Sequence, residues 1–325
     1  MKRRIIWGAA LLLVCAGWTG CGRELPLANQ PTELPLGSED QLRAVRFVGQ
    51  DTGYVAGGQR FLNDVLFRTT DGGATWERQY TVQPLGKIVF DLDFLDGSRG
   101  FAAALDGKVL LTTDGGQHWQ IRQIPYWKPL QAVQAVNDTL VVAVGGSGYD
   151  DGMIVRSADG GQTWAVIDTP RRELRDVWFT HPDTGFACGY GAIYKSTDGG
   201  RRWAFTSASD EFFTSLHFLS GRLGYAVGRT GSIVRTRDGG VTWETLRNGN
   251  LPWMPLHRYN QICMLDARTG YIVGDAGLVL KTTDGGKTWL RFERQIPADL
   301  MQIHLFGEGD GLLAGRDGRL YRLLE

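Results

Sequence analysis

Six aspartates recur along the chain in one local setting. The pattern Ser/Thr-x-Asp-Gly-Gly-x-x-Trp begins at Thr69, Thr112, Ser157, Ser196, Thr236 and Thr282. It carries Asp71, Asp114, Asp159, Asp198, Asp238 and Asp284, and closes on Trp76, Trp119, Trp164, Trp203, Trp243 and Trp289. Six carboxylates could hold a cation or work as acids and bases. Their setting points to a quieter chemistry. An Asp two residues after a hydroxyl and just before two glycines can accept hydrogen bonds from that hydroxyl and from the amides of its own turn. The glycines permit the positive φ that such a turn needs, and the Trp is large enough to anchor an outer strand on a neighbouring sheet. Successive aspartates lie 43, 45, 39, 40 and 46 residues apart. One carboxylate per repeating unit cannot converge with the others, so the six are expected to be structural.

The remaining candidates for chemistry are sparse. His118, His181, His217, His257 and His304 show no metal-ligand spacing, and His118 stands inside one of the motifs. Asp150-Asp151 with Gly152 falls short of a calcium loop. No metal and no cofactor is expected. Cys188 and Cys263 fall in strands of non-adjacent repeats, so no disulfide is expected, and each reads as a small buried apolar residue.

The elements that must carry the motifs repeat as well. Ahead of each motif stands a run of alternating apolar and polar residues, such as Leu42-Arg-Ala-Val-Arg-Phe or Leu174-Arg-Asp-Val-Trp-Phe. A Gly-aromatic strand follows, as in Gly185-Phe-Ala-Cys-Gly or Gly270-Tyr-Ile-Val-Gly; a third strand enters the motif and a fourth leaves it. Each unit is therefore a four-stranded meander of about 40 residues. First strands begin near Leu42, Ile88, Leu130, Leu174, Phe213, Tyr259 and Leu300, which makes seven units although there are six motifs. Such a sheet cannot cover both its apolar faces alone, and a closed ring covers all of them. The expected fold is all-β: a seven-bladed β-propeller over residues 42–325 of four-stranded antiparallel blades, the last lacking its own fourth strand. Part of segment 25–41 is a candidate to supply that strand.

In such a ring the fourth-to-first and second-to-third connections share one face, opposite the motif turns. Two fourth-to-first connections set a Trp beside Pro: Pro125-Tyr-Trp-Lys-Pro129, and Asn248 to Arg258 with Trp253 at its centre. Long second-to-third loops, Gly58–Asp64 and Gly145–Gly152, share that face. Trp127, Tyr149, Asp150, Trp253, His257 and Arg258 are the candidate partner-binding residues. The competing account is that the tryptophans only cap the rim. The aligned first-strand positions Ala44, Asp91, Ala132, Asp176, Ser215, Gln261 and Gln302 approach the central channel, where a solvated lining accounts for them without a ligand.

The N-terminus reads as an export signal over residues 1–21. Lys2-Arg3-Arg4 precedes the apolar stretch Ile5 to Ala16, which is too short to favour a spanning helix. Its end, Trp18-Thr19-Gly20-Cys21, resembles a bacterial lipobox, although Trp18 stands where Leu is usual. Lipidation of Cys21 is expected, with ordinary cleavage as the alternative and Cys15 as a weaker acceptor. Residues 22–41, with three prolines, read as a flexible tether. The expected location is an exported lipoprotein of the periplasm or cell envelope, in contact with the membrane only through its anchor. Without Lys2, Arg3 and Arg4 the chain has 32 basic and 35 acidic residues, which is no nucleic-acid footprint.

The motif resembles the Asp-box, or BNR, repeat of sialidases and sortilin-like receptors. Asp183-Thr-Gly-Phe-Ala-Cys-Gly to Trp203 and Arg268-Thr-Gly-Tyr to Trp289 are the clearest copies of a longer repeat. From about Leu42 to Glu325 this repeat is similar to that of the photosystem II stability and assembly factors. That resemblance implies a non-enzymatic protein-binding scaffold or assembly factor, whose partner is a membrane protein or envelope complex met through a surface arginine patch. The alternative is a glycan-binding protein or a sialidase-like glycoside hydrolase. Sialidases require an arginine triad, a Tyr nucleophile with a Glu partner and an Asp acid. Their early Arg-Ile-Pro element is missing here, and seven repeats stand where six blades are usual.

Overall fold

In the computed structural model the described residues are 24–25, 31–34, 36–80, 85–206, 211–252, 256–292 and 296–325. They form seven antiparallel sheets in sequence order around a channel. The first strands of the blades are Leu42–Val48, Val89–Phe94, Leu130–Ala135, Leu174–His181, Phe213–Phe218, Tyr259–Met264 and Leu300–Gly307. Each packs against the next, and the seventh against the first. The ring is a seven-bladed β-propeller, as the count of first strands predicts.

Blade 7 contributes three strands of its own, Leu300–Gly307, Asp310–Gly315 and Leu320–Leu324. Thr32–Leu34 lies antiparallel to the third, with Thr32 opposite Arg322 and Leu34 opposite Leu320. A strand from before blade 1 thus completes blade 7. Leu34 and Leu36 pack on the core cluster that joins these blades, Leu42, Val45 and Phe47 against Leu312, Ala314 and Leu320. Each such side chain taken from water stabilises the seam by about 1.5–3 kcal/mol. Glu24–Leu25 adds a fifth strand to blade 6, parallel to Leu290–Phe292. The leader with Cys21 lies outside the described residues.

The Asp boxes have the expected internal chemistry. In the first, Thr69 Oγ1 donates to Asp71 at 2.7 Å, Thr75 N donates to it at 2.9 Å, and Gly73 N donates back to Thr69 Oγ1 at 3.0 Å. Gly72 and Gly73 have φ of 72° and 91°. His118 plays the part of Thr75 in the second box, with Nδ1 2.7 Å from Asp114. Each box Trp packs on the preceding blade; Trp164 of blade 3, for example, lies in a cluster with Phe101 of blade 2.

A second device links box to box. In three blades the basic residue just before the Ser/Thr donates to a glycine carbonyl of the next box: Arg156 to Gly199 at 2.7 Å, Lys195 to Gly239 at 2.6 Å and Arg235 to Gly285 at 2.7 Å. Arg322, in the third strand of blade 7, reaches Gly72 of the first box at 3.3 Å. Blade 7 has no box, and Lys281 instead pairs with Glu308 at 2.9 Å and Glu325 at 2.5 Å.

Candidate functional site

All seven first strands carry a β-bulge at their second residue. A bulge inserts one extra residue and re-aims its side chain. Second and third residues, Ala44 excepted, therefore line a cavity of about 680 Å³ around the axis.

The mouth of this channel, on the loop face, is built from arginines. Arg43 and Arg175 are bulge residues; Arg60, Arg229 and Arg316 follow the second strands Thr52–Gln59, Gly224–Gly228 and Asp310–Gly315. Three carboxylates offset them in part. Arg175 Nη2 lies 2.8 Å from Glu173, Arg316 Nη1 3.3 Å from Asp299, and Arg229 Nη2 4.0 Å from Asp275. Among the described residues neither Arg43 nor Arg60 has a carboxylate within ion-pair distance, and Arg43 Nε is buried without a hydrogen-bond partner. Burial, and then the charges of Arg316, Arg175, Arg229 and Arg60, bring the Arg43 guanidinium down to about 10. Burial opposes both charges of the Glu173–Arg175 pair, raising the acid and lowering the base.

One residue deeper the sign changes. Asp91 accepts from Val133 N at 3.1 Å and Asp176 from Leu216 N at 2.8 Å, each from the next blade. Gln261 and Gln302 do the same for Ile303 N and Val45 N, both at 2.6 Å. These four polar residues line the channel and in addition stitch their blade to the next. In blade 3, where the third residue is Ala132, the fifth takes over: Gln134 accepts from Phe179 N. Both aspartates face a narrow channel and are only partly accessible. Burial raises Asp176 to about 7 and Asp91 to about 6, their mutual repulsion adding to the first and Asp93 to the second.

At the far end Arg46 pairs with Asp93 at 2.9 Å. Burial, with Arg46 nearby, lowers His217 and His304 to about 4, so both are neutral at physiological pH. Cys263 also lines the channel and is half-buried, which corrects its reading as a core residue; its strong burial on one side raises the thiol to about 11. Cys188 is buried, and both thiols are free.

The mouth can therefore take an anion. Planar guanidinium forks match a carboxylate or phosphate, and the aspartate tier below stops an anion from going deeper. Among the described residues no tyrosine lines the cavity. Among the described residues no three metal-ligating side chains group together.

The structure scatters the residues singled out from sequence. Trp127 is 72% and Tyr149 65% exposed, and Asp150 is exposed beside Tyr149. Asp151 is the engaged member of that pair, held by Lys128 and Ser147. His257 stacks on Tyr259, and Arg258 lies 3.7 Å from Asp275, the acid it shares with Arg229. Trp253 lies outside the described residues. None of the five described ones lines the channel. The arginine mouth was missed, although the first strands signal it. Leu42, Val45 and Phe47 are spaced three and then two, as are Leu174, Val177 and Phe179, and a step of three in an alternating strand is a bulge.

A family model described as Photosynthesis system II assembly factor YCF48 matches residues 80–206 and 208–324. No curated protein matches in sequence. Among solved structures, "YCF48 bound to D1 peptide" has a TM-score of 0.74 at 19% identity, covering 93% of this chain and 98% of that one. YCF48 from Cyanidioschyzon merolae has a TM-score of 0.70 at 19% identity, covering 90% and 98%. The same fold recurs in an enzyme, virginiamycin B lyase from Staphylococcus aureus, with a TM-score of 0.74 at 13% identity, covering 91% and 99%.

Proposed function

Because the chain belongs to the photosystem II assembly factor YCF48 family, we propose that it is a non-enzymatic scaffold that holds an acidic segment of a protein partner at its arginine mouth during assembly of a membrane or envelope complex. The observation that carries this is the cluster of five arginines, two of them without an acidic partner, around a guanidinium already destabilised by its neighbours. An unpaired buried charge of this kind is relieved by a carboxylate from outside. The relative bound to D1 peptide supports a peptide segment as the kind of ligand. In this proposal Cys21 is lipidated and ties the propeller to the envelope. The lyase relative shows that the fold alone does not exclude catalysis. The box-bound carboxylates, and a channel with no tyrosine among its described lining residues, favour binding.

The test is copurification from envelopes of the source organism. Tagged full-length protein recovers a partner, and the Arg43→Glu/Arg175→Glu double variant, equally folded, does not. Equal recovery by both, or turnover of a sialoside or glucan abolished by that variant, contradicts the proposal.

A further inference from the structure

Beside the arginine mouth lies an aromatic strip that the charge chemistry does not use. Tyr149, from the second-to-third loop of blade 3, meets Tyr190 of blade 4 at 4.7 Å between ring centroids. Tyr190 meets Phe212, at the entry to blade 5, at 5.4 Å. Phe212 then lies under two mouth arginines, Arg175 at 5.1 Å and Arg229 at 6.0 Å. The strip thus runs without a break from an exposed ring to the guanidinium forks.

The backbone holds this shelf in place. Glu173, whose carboxylate pairs with Arg175, donates its N–H to Tyr149 O at 3.4 Å and accepts from Tyr190 N at 2.9 Å. One residue therefore joins the charged well to two of the three rings. Arg229 N donates to Phe212 O at 3.0 Å, which ties the third ring to the other arginine. Nothing in the fold explains why two tyrosines should stay exposed here, since the blade cores are closed without them. Pre-placed aromatic rings beside arginines are the residue types that carry binding energy at interfaces.

Resting on the partner-binding role proposed above, we infer that the loop face reads two adjacent features of an extended peptide: a carboxylate in the arginine well, and an aromatic or large aliphatic side chain next to it on the shelf of Tyr149, Tyr190 and Phe212. The excess of arginine over acid at the well selects an acidic peptide over a neutral glycan, which would take the rings and leave the charges unused. The shelf supplies the selectivity that charge alone lacks, because any acidic segment satisfies the arginines.

The experiment is fluorescence anisotropy on the full chain with three labelled hexapeptides that differ at two central positions: Glu-Phe, Glu-Ala and Gln-Phe. The expected order is Glu-Phe first, with Glu-Ala and Gln-Phe each about tenfold weaker or more. Tyr149→Ala combined with Tyr190→Ala, both surface changes, brings Glu-Phe down to the level of Glu-Ala and leaves Glu-Ala itself unmoved, with an unchanged Tm. If Glu-Phe and Glu-Ala bind equally and both depend on Arg43, the arginine mouth stands and the shelf inference falls. The shelf inference also falls if the tyrosine variant weakens both peptides alike. If no acidic peptide binds, or sialyllactose binds in their place, the proposed function falls with it.

Discussion

The propeller uses aspartate in two places to opposite effect. On the rim, each box carboxylate is satisfied inside its own turn. The hydroxyl and amide of Thr75, with Thr69, hold Asp71 down to about 2, and the equivalent groups do the same for Asp159 and Asp238. In the channel, Asp91 and Asp176 reach across to the next blade, and burial lifts them to about 6 and 7. The rim repeats one solution six times, each carboxylate held by its own turn. The channel varies from blade to blade and leaves guanidinium groups unpaired. The loudest signal in the sequence is thus the one least tied to a ligand, and the irregular ring inside it is where a partner can be recognised.

The largest expected effect separates the two regions by binding. Arg43→Glu with Arg175→Glu weakens an acidic peptide by a hundredfold or more, measured by anisotropy, and the wild-type affinity falls steeply with added salt. Asp71→Ala leaves that affinity within twofold. Deleting residues 24–41 removes the fourth strand of blade 7 and lowers Tm by on the order of 10 °C in calorimetry; an unchanged Tm would deny Thr32–Leu34 its closing role. Asp71→Ala lowers Tm by a few degrees, because the amides and hydroxyls of its turn lose their acceptor.

The smallest effect is a difference in sign with pH. Channel aspartates raised in the fold contribute stability that is full below about pH 4 and is lost as pH rises through 6 to 7. Box aspartates are depressed, so their contribution is present above about pH 4 and is lost as pH falls toward 2. Tm should peak on the acid side of neutrality. Asp176→Asn keeps the acceptor for Leu216 N but cannot ionise, and should flatten the fall between about pH 4 and 7. An equal slope in the variant would remove Asp176 from the account.

Blade number was legible because first strands repeat independently of the boxes, and the missing fourth strand of blade 7 followed from the arithmetic of its three. The stitches were half legible. Asp91, Asp176, Gln261 and Gln302 align as one polar position, but alignment along the chain does not show that each reaches a neighbour's amide. The mouth was legible only at its bulge residues, which the three-residue step in the first strands marks. Its arginines come from two kinds of position, bulge residues such as Arg43 and loop residues such as Arg316, and only closure of the ring brings blades 1, 4, 5 and 7 to one axis. Trp127 drew attention because an exposed Trp beside Pro is conspicuous, while Phe212 sits half-buried at the start of a blade and shows nothing of itself in composition.

The central claim is that partner recognition belongs to the channel mouth and not to the box rim. Hydrogen–deuterium exchange of the full chain, with and without a saturating acidic peptide, tests it most directly. Protection is predicted at residues 41–46, 58–62, 172–176 and 228–232, with the box turns unchanged. Protection confined to the box turns, or saturating binding that leaves all four mouth segments unprotected, would contradict it.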